Sequence, residues 1–391
     1  MNFDLHLTTD CNMKCNFCAA WEYGRTKHFI PLEEAKNALD QARRNGYRIT
    51  TLTGGEPTMH PDFCEILNHA HSIGLWSVVT TNGLYLTKGM INTYKKCATL
   101  VRISLHSLDA DQHANITGSD TFSSVLSSLD SLVKNSVNIA IGCTVFTENL
   151  NQVVPLAKFA WENGVHFIRY TPVVGMRGAE NIKLQISFFS NLLEKIFRIC
   201  VNNGQLLEYR TTNSPSIRKT LLNYMMTRRC AGGSSQHIIH DSQGRMLPCS
   251  FIPEQMQLYC PGEGTVTERI QKTREKMNNF QSKYLKDNLK GKCSECEFAD
   301  LCLGGCLTTK IAFGFEPNAE QPVCLMHIVN ELLQKFDPKE QVLLMDYWSS
   351  VFKRKAPVTE TEKNCMRHLP IWEIVFRSGI DSSQYRFNGG V

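Results

Sequence analysis

A chain of 391 residues with 42% hydrophobic residues carries enough apolar material for two or three domains, which excludes disorder as its main theme. Its charged fraction is 20%, its formal net charge is +5, and its tightest basic run is only Lys353-Arg354-Lys355, so a nucleic-acid partner is not expected. No apolar stretch approaches the roughly 18 residues that span a bilayer, and Met1-Asn2-Phe3-Asp4 does not open a signal segment. The expectation is a cytoplasmic protein with no membrane partner.

From residue 3 to about 175, short β-prone runs alternate with helical stretches, the pattern of a parallel sheet with crossover helices. Phe3, Leu5 and Leu7 alternate with polar residues and predict a first strand ending at Thr8-Thr9-Asp10. A helix follows from Pro31 to Asn45, with Glu33 and Glu34 in its first turn and Gly46 as its stop. Next come a strand at 48–53, a helix at 61–72 closed by Gly74, and a strand at 75–80. Further strands are predicted at 101–105, 137–146 and 166–171, with helices at 122–134 and 150–163 between them. Helical stretches at 186–203 and 217–227 bridge to a cysteine-rich stretch, 230–324, that is poor in core residues and needs cross-links or metals to hold it. Helical periodicity returns at Ile328, Leu332, Leu333 and Phe336, which are expected to pack back on the body.

In such sheets the loops at the C-terminal strand ends converge on one edge, where ligands bind. The unusual sequences fall there: Cys11 after strand one, Gly54-Gly55-Glu56-Pro57 after strand two, Thr81-Asn82-Gly83 after strand three, Ser104-Leu105-His106-Ser107 after strand four, and Pro172-Val173-Val174-Gly175 after strand six. His106, Arg169 and Tyr170 are candidates for facing the cavity, and Tyr23, Arg25 and His28 for closing over it. No general acid or base is assigned.

The chain has 16 cysteines, too sparse for a disulfide scaffold, and in a reducing compartment clustered cysteines point to metal. Cys64, Cys97, Cys143, Cys200 and Cys365 stand apart and read as small buried hydrophobes. Cys11, Cys15 and Cys18 have the spacing C-x3-C-x2-C. A closed zinc site or a fully ligated iron-sulfur cluster needs four ligands, so three thiolates leave one position open for a substrate or cofactor. A zinc site with a distant fourth ligand, or a disulfide plus an odd thiol, are the competing readings.

The triplet, with Phe17 before its last cysteine, and Gly54-Gly55-Glu56-Pro57 after strand two together resemble the radical S-adenosylmethionine (SAM) superfamily over about residues 3 to 178. The resemblance implies that Cys11, Cys15 and Cys18 hold three irons of a 4Fe-4S cluster whose fourth iron is chelated by SAM. It also implies that Gly54, Gly55 and Glu56, in a loop completed by Pro57, bind the SAM amino group. Phe17 is implied to pack near the adenine, and Ser104 to meet the ribose or carboxylate. Reductive cleavage of the sulfonium would give a 5′-deoxyadenosyl radical able to take hydrogen from an unactivated carbon.

Downstream, Cys230, Cys249, Cys293, Cys296, Cys302, Cys306 and Cys324 are spaced so that zinc and iron-sulfur are equally open on spacing alone. Their full order resembles the SPASM domain attached to radical SAM enzymes, which implies two auxiliary 4Fe-4S clusters and three clusters in all. By that resemblance Cys293, Cys296, Cys302 and Cys324 ligate the outer cluster, and Cys230, Cys249 and Cys306 the inner one. Cys260 is the spare candidate for the inner cluster's fourth ligand, the alternative being an open iron. Asp241-Ser242-Gln243-Gly244 reads as a turn between two short strands, with Gly244 permitting positive φ.

The expected architecture is therefore α/β: a partial (β/α)6 TIM-like barrel core (1–178), a helical bridge (179–229), a small cysteine-rich iron-sulfur domain (230–324) and a C-terminal helical segment (325–391). Enzymes of this two-part type mostly modify peptides. The leading expectation is a maturase that abstracts hydrogen from a ribosomally made precursor peptide and forms a carbon-carbon or thioether cross-link. The alternatives are a sulfatase-maturing, formylglycine-forming enzyme and a radical SAM dehydrogenase acting on a small molecule. Ser250 follows Cys249 where sulfatase-maturing relatives carry a basic Asp, which counts against the former. The implied partners are the precursor peptide, a reducing donor such as flavodoxin or ferredoxin, and a separate leader-binding protein, since the cluster motif begins as early as Cys11.

Overall fold

In the computed structural model the described residues are 2–18, 27–173, 186–202, 237–252, 256–286, 288–296, 299–324, 328, 331–332, 334–341 and 373–375. Six parallel strands follow the expected order: β1 (Asn2–Thr8), β2 (Ile49–Gly54), β3 (Trp76–Thr81), β4 (Leu100–Ser104), β5 (Asn138–Val145) and β6 (Phe167–Pro172). Crossover helices return between them: α1 (Leu32–Arg44), α2 (Phe63–Ser72), α3 (Lys88–Lys96), α4 (Ala110–Thr117), α5 (Phe122–Lys134) and α6 (Val153–Glu162). Helices α3 and α4 are additions to the sequence reading. Their sequences, LysGlyMetIleAsnThrTyrLysLys and AlaAspGlnHisAlaAsnIleThr, are mostly polar, but Thr87 and Asp109 cap them by accepting from the main-chain N–H three residues on.

Strand alternation divides the residues between two environments. Phe3, Leu5 and Leu7 of β1 join the main core under the helices, whereas Asp4 and His6 face the other way, in register with Thr51 and Thr53. On that inner face Ile49, Val78, Leu100 and Ala140 form a separate apolar cluster. These residues lie at or near the starts of their strands, so they plug the bottom of the barrel. Above the plug the inner face is polar, with Thr80 beside Arg102 and Gly142 beside Arg169 in the strand register.

The cysteine-rich stretch is not a separate layer. It supplies β7 (His237–His240), which pairs parallel with β1, and β8 (Met246–Leu247), which returns antiparallel beside β7. The turn between them is the expected one, with Gly244 at φ +81°. A further strand, β9 (Glu373–Val375), pairs antiparallel with β6, giving a nine-stranded sheet in the order β8-β7-β1-β2-β3-β4-β5-β6-β9.

A long helix unforeseen from composition, α8 (Val266–Gln281), begins with a capping box in which Thr265 and Glu268 satisfy each other's main-chain N–H groups. It docks on α1: Asn45 donates to Thr267 Oγ1 at 2.8 Å, Thr267 N–H donates to Gln41 at 2.9 Å, and the Arg274 guanidinium lies 5.3 Å over the Tyr47 ring. Beneath α8 a second apolar cluster of Ile252, Leu258, Met277, Phe280, Leu285, Leu289, Leu303 and Leu307 carries two short helices, α9 (Ala299–Cys302) and α10 (Leu307–Ala312). The bridge helix spans Ile186–Asn202, and Ile328, Leu332 and Phe336 pack into the main core with it, as the periodicity predicts. Phe336 stands 6.1 Å from Phe197, and Lys335 pairs with Glu194 at 2.9 Å.

Candidate active site

The loop carrying the first cysteines is closed at its base by the returning chain. Thr9 N–H donates to His28 O at 3.0 Å, and Ile30 N–H donates to Leu7 O at 2.9 Å. The Gly-Gly pair after β2 then presses against this loop: Gly55 N–H donates to Thr8 O at 2.7 Å, and Glu56 N–H to Asp10 O at 2.8 Å. A Cβ on Gly54 would lie 2.4 Å from Thr8 O, and one on Gly55 2.1 Å from Asp10 O, so any side chain at either position would separate the loops.

Glu56 is 1% exposed, and its carboxylate joins the loops that follow β2 and β3. Oε1 accepts from Thr58 N–H, Thr58 Oγ1 and Thr81 Oγ1 at 3.1, 2.6 and 2.7 Å, and Oε2 accepts from Asn82 N–H at 2.7 Å. Burial pushes this carboxyl above its ordinary range, and the same donors oppose the rise. Asn82 continues the chain of contacts, donating to Asn12 Oδ1 at 2.6 Å and reaching Cys11 Sγ at 3.9 Å. Pro57, buried and without an N–H to satisfy, starts the 3-10 turn Pro57–Met59. The ends of β1, β2 and β3 are thereby locked together around the cysteines.

The cysteines sense one another. Burial, with the charges of Glu56 and Cys18, pushes the Cys11 thiol up to about 11, and burial with the charges of Cys18 and Cys11 pushes Cys15 up to about 12. Among the described residues no cationic side chain is a leading influence on either. A soft site crowded with neutral thiols takes its positive charge from what it binds, because metal ligation converts thiols to thiolates. Among the described residues no group of three or more His, Cys, Asp or Glu side chains is drawn together around a single metal ion. A single zinc holds every sulfur at about 2.3 Å from one point, whereas a 4Fe-4S cluster takes each thiolate at a different iron. In its donor chemistry the triplet fits such a cluster.

On the opposite side the loop leans on α4: Asn16 N–H donates to Ile116 O at 3.2 Å and its side chain to Asn115 O at 2.7 Å. Phe17 packs edge-on against His106 and Phe146, each at 5.2 Å, in a small apolar cluster with Ile116 and Val173. Ser104 ends β4 next to Gly142 in register, close to this wall. His106 is buried, with Nδ1 accepting from Thr144 N–H at 3.1 Å and its ring stacked 5.8 Å from His113. Burial and then the neighbouring His113 push its pKa down to about 3, so it is a neutral wall residue at pH 7.

Of the other cavity candidates, Arg169 does lie on the inner face. Tyr170 does not: it points outward with Cys143, is fully buried, and donates through its hydroxyl to Val153 O of α6. One-residue alternation explains this correction, because neighbours on a strand face opposite sides. His28 contributes main-chain bonds at the base of the loop, while Tyr23, Arg25, Val174 and Gly175 lie outside the described residues. Cys97 and Cys143 are buried as expected, and Cys64 is half-buried.

Sequence reasoning missed a polar cluster lower on the inner face. His237 of β7 meets Asp4 of β1, with Nε2 3.1 Å from Oδ2. Burial works to raise Asp4, but the charge and hydrogen bond of His237, with Thr51 and His6, hold it at about 2. Burial works to lower His237, and Asp4 more than offsets it, leaving its pKa raised. Polar residues at alternate positions 2, 4 and 6 of β1 signalled a hydrophilic inner face, but nothing local signalled the partner from β7.

The downstream cysteines form a second group. Cys302 is pushed up to about 11 by burial and by the charges of Cys324, Cys293 and Cys296, so it senses the other three residues expected for the outer cluster. Gln321 N–H reaches Cys293 Sγ at 3.5 Å, and Phe251 N–H reaches Cys249 Sγ at 3.4 Å. These four thiols also fit a multi-iron centre in donor type. Cys306 lies 3.0 Å from Thr308 Oγ1, and Cys230 lies outside the described residues. Cys260 is buried in the main core and bonded to Met246 through both main-chain groups, and Cys249, three residues after Met246, packs on the second cluster under α8.

Among the described residues no helix is long and apolar enough to cross a membrane. Residues 5–160 match the profile of the radical SAM superfamily. The AdoMet-dependent heme synthase of Methanosarcina barkeri is 24% identical over 344 residues, which covers 82% of this chain and 94% of that protein. Among solved structures, native anSMEcpe with bound AdoMet superposes with a TM-score of 0.68 at 19% identity, covering 88% of this chain and 100% of that one. Streptococcus suis SuiB bound to its precursor peptide SuiA superposes with a TM-score of 0.63 at 18% identity, covering 83% and 75%. With the cysteine triplet, the Gly-Gly-Glu-Pro loop and the barrel in place, residues 5–160 form a domain that matches the radical SAM superfamily, on a fold that the chain shares with anSMEcpe and SuiB.

Proposed function

We propose that this enzyme is a SAM-dependent radical dehydrogenase that oxidises a small organic molecule held in the polar part of its barrel. The observation that carries this reading is the inner face beneath the cysteine loop, where Asp4, His6, His237 and Arg169 gather beside an apolar plug. A substrate with several polar groups finds partners there. The collinearity with a heme synthase, over nearly the whole of that protein, supports a small molecule over a peptide.

Cys11, Cys15 and Cys18 would hold the SAM-binding 4Fe-4S cluster, and the Gly54-Gly55-Glu56-Pro57 loop would present its main chain to the SAM amino group. Phe17 and Ser104 would line the adenosyl side. When bound, cluster and SAM supply a carbon radical that takes hydrogen from an unactivated carbon. The chain's own part is to orient the substrate and keep water out, which buried His106 and Phe146, with half-buried Phe17 packed against them, favour. Cys293, Cys296, Cys302 and Cys324 would hold an outer auxiliary cluster, and Cys230, Cys249 and Cys306 an inner one. The surroundings of Cys260 favour a core role instead. An enzyme removing two electrons from its substrate needs such a sink.

A second reading, oxidation of a peptide side chain, is favoured by the full-length superposition on anSMEcpe, and a precursor peptide by that on SuiB with SuiA. Cross-linking has less support than oxidation without a new cross-link. The test is anaerobic 5′-deoxyadenosine formation from SAM and dithionite, with fractionated cell extract as the substrate source. Stimulation by the low-molecular-mass fraction that survives protease treatment supports the dehydrogenase reading. Stimulation that protease abolishes overturns it in favour of a peptide.

A further inference from the structure

Lys310, in the last turn of α10, is 0% exposed. Its ammonium donates to Pro317 O at 2.9 Å, among the described residues the one neutral acceptor for a group with three N–H donors. Burying an ammonium is expensive unless negative charge lies close by. After burial itself, which lowers its pKa, the leading influences on Lys310 among the described residues are the thiols of Cys293, Cys302 and Cys306.

The local chain is shaped to admit this side chain. Leu303, Gly304 and Gly305 are three successive left-handed residues, at φ 53°, 73° and 83°, that fold the link between Cys302 and Cys306 into a tight turn. A Cβ on Gly304 would come within 2.5 Å of Lys310 Nζ, and one on Gly305 within 2.9 Å of the Gln321 side chain. The ammonium thus lies directly against the turn joining a cysteine of the outer set to one of the inner set. Nothing in the iron-binding pattern of cysteines calls for a lysine four residues after Cys306.

We propose that Lys310 is a positioning residue for charge: its buried ammonium, set at the junction of the two downstream cysteine sets, makes the centre they bind easier to reduce. A fixed cation stabilises the more negative, reduced state of a nearby centre in a low-dielectric interior. The inference rests on the reading that these cysteines hold iron-sulfur centres.

The test is a redox titration of the anaerobically reconstituted full-length protein, followed by electron paramagnetic resonance. It is run in a Cys11/Cys15/Cys18→Ala background, so that only downstream centres contribute. Lys310→Met, which keeps the volume and removes the charge, is expected to lower the reduced-to-oxidised ratio at fixed potential about tenfold, or about 59 mV for one electron. Lys310→Arg is expected to stay near the parent value, and iron per chain to stay constant throughout. A Met variant within about twofold of the parent, or Arg and Met variants shifted alike, overturns the proposal while leaving the iron-sulfur reading intact. If the Met variant loses iron, Lys310→Gln replaces it. Loss of iron in both with retention in Arg marks a folding role and also overturns the tuning proposal. A parent protein without downstream iron overturns both the reading and the proposal.

Discussion

The two cysteine groups are supported in different ways. The first hangs between the ends of three paired strands, and main-chain groups of Thr8, Asp10 and Asn82 hold the flanking loops together. The second lies in a stretch of short helices and left-handed turns, where Gly304, Gly305, Lys310 and Gln321 fit against one another over a small apolar cluster. A site built on a parallel sheet inherits its geometry from the fold, whereas one built on turns depends more on what it binds.

The sharpest break of this comparison is removal of the first group. Replacing Cys11, Cys15 and Cys18 by Ala should abolish 5′-deoxyadenosine formation while leaving circular dichroism and downstream iron unchanged. A collapse of the whole fold would show that the barrel edge also needs its ligand. Removing iron with a chelator should act in the opposite sense. Hydrogen exchange is expected to rise strongly across 288–324 and little in β1 to β6, and equal rises would erase the contrast.

Smaller changes sharpen it. Gly55→Ala drives a methyl into Asp10 O and should cost about 3 kcal/mol in a denaturant titration. It should also lower iron in the first site only. Glu56→Gln loses the anionic acceptor at the centre of the lock, for about 1–3 kcal/mol.

The Asp4–His237 pair gives the mildest test. Asp4, held at about 2 from an ordinary 3.8, contributes stability that is present above pH 3.8 and lost as pH falls toward 2. His237, raised above 6.5, contributes stability that is full below pH 6.5 and fades as pH rises through its folded value. Asp4→Asn should therefore cost about 2 kcal/mol near pH 5 and flatten the acid limb of the stability profile. An unchanged acid limb would remove the pair from the account.

Where local chemistry decides structure, the sequence was legible. Strands β1 to β6 show as short β-prone runs alternating with helical stretches, and the Gly-Gly-Glu-Pro loop announces a close approach of main chains. The hairpin turn at Gly244 was readable too. Arg269 adds a reason that no pattern conveys: its guanidinium donates to Gly244 O, and a Cβ on Gly244 would crowd it at 2.9 Å. Helix α8 carried a readable start in Thr265-Val266-Thr267-Glu268, obscured by the cysteines around it. The joining of β7 to β1, and with it the Asp4–His237 contact, was not legible, because pairing between distant strands leaves no local trace. The Lys310 burial escaped for the same reason: on a sequence it is one more surface lysine.

The parallel pairing of β7 with β1 also bears on how the protein is made. Strand β1 obtains its neighbour β7 only after the bridge and the start of the cysteine-rich stretch have left the ribosome. Until then that edge of β1 lacks β7, directly beneath the loop of Cys11, Cys15 and Cys18. Delivery of the iron proposed for these cysteines is therefore best timed after translation has passed His237, and a truncation before that residue is expected to yield an aggregating barrel rather than a smaller enzyme.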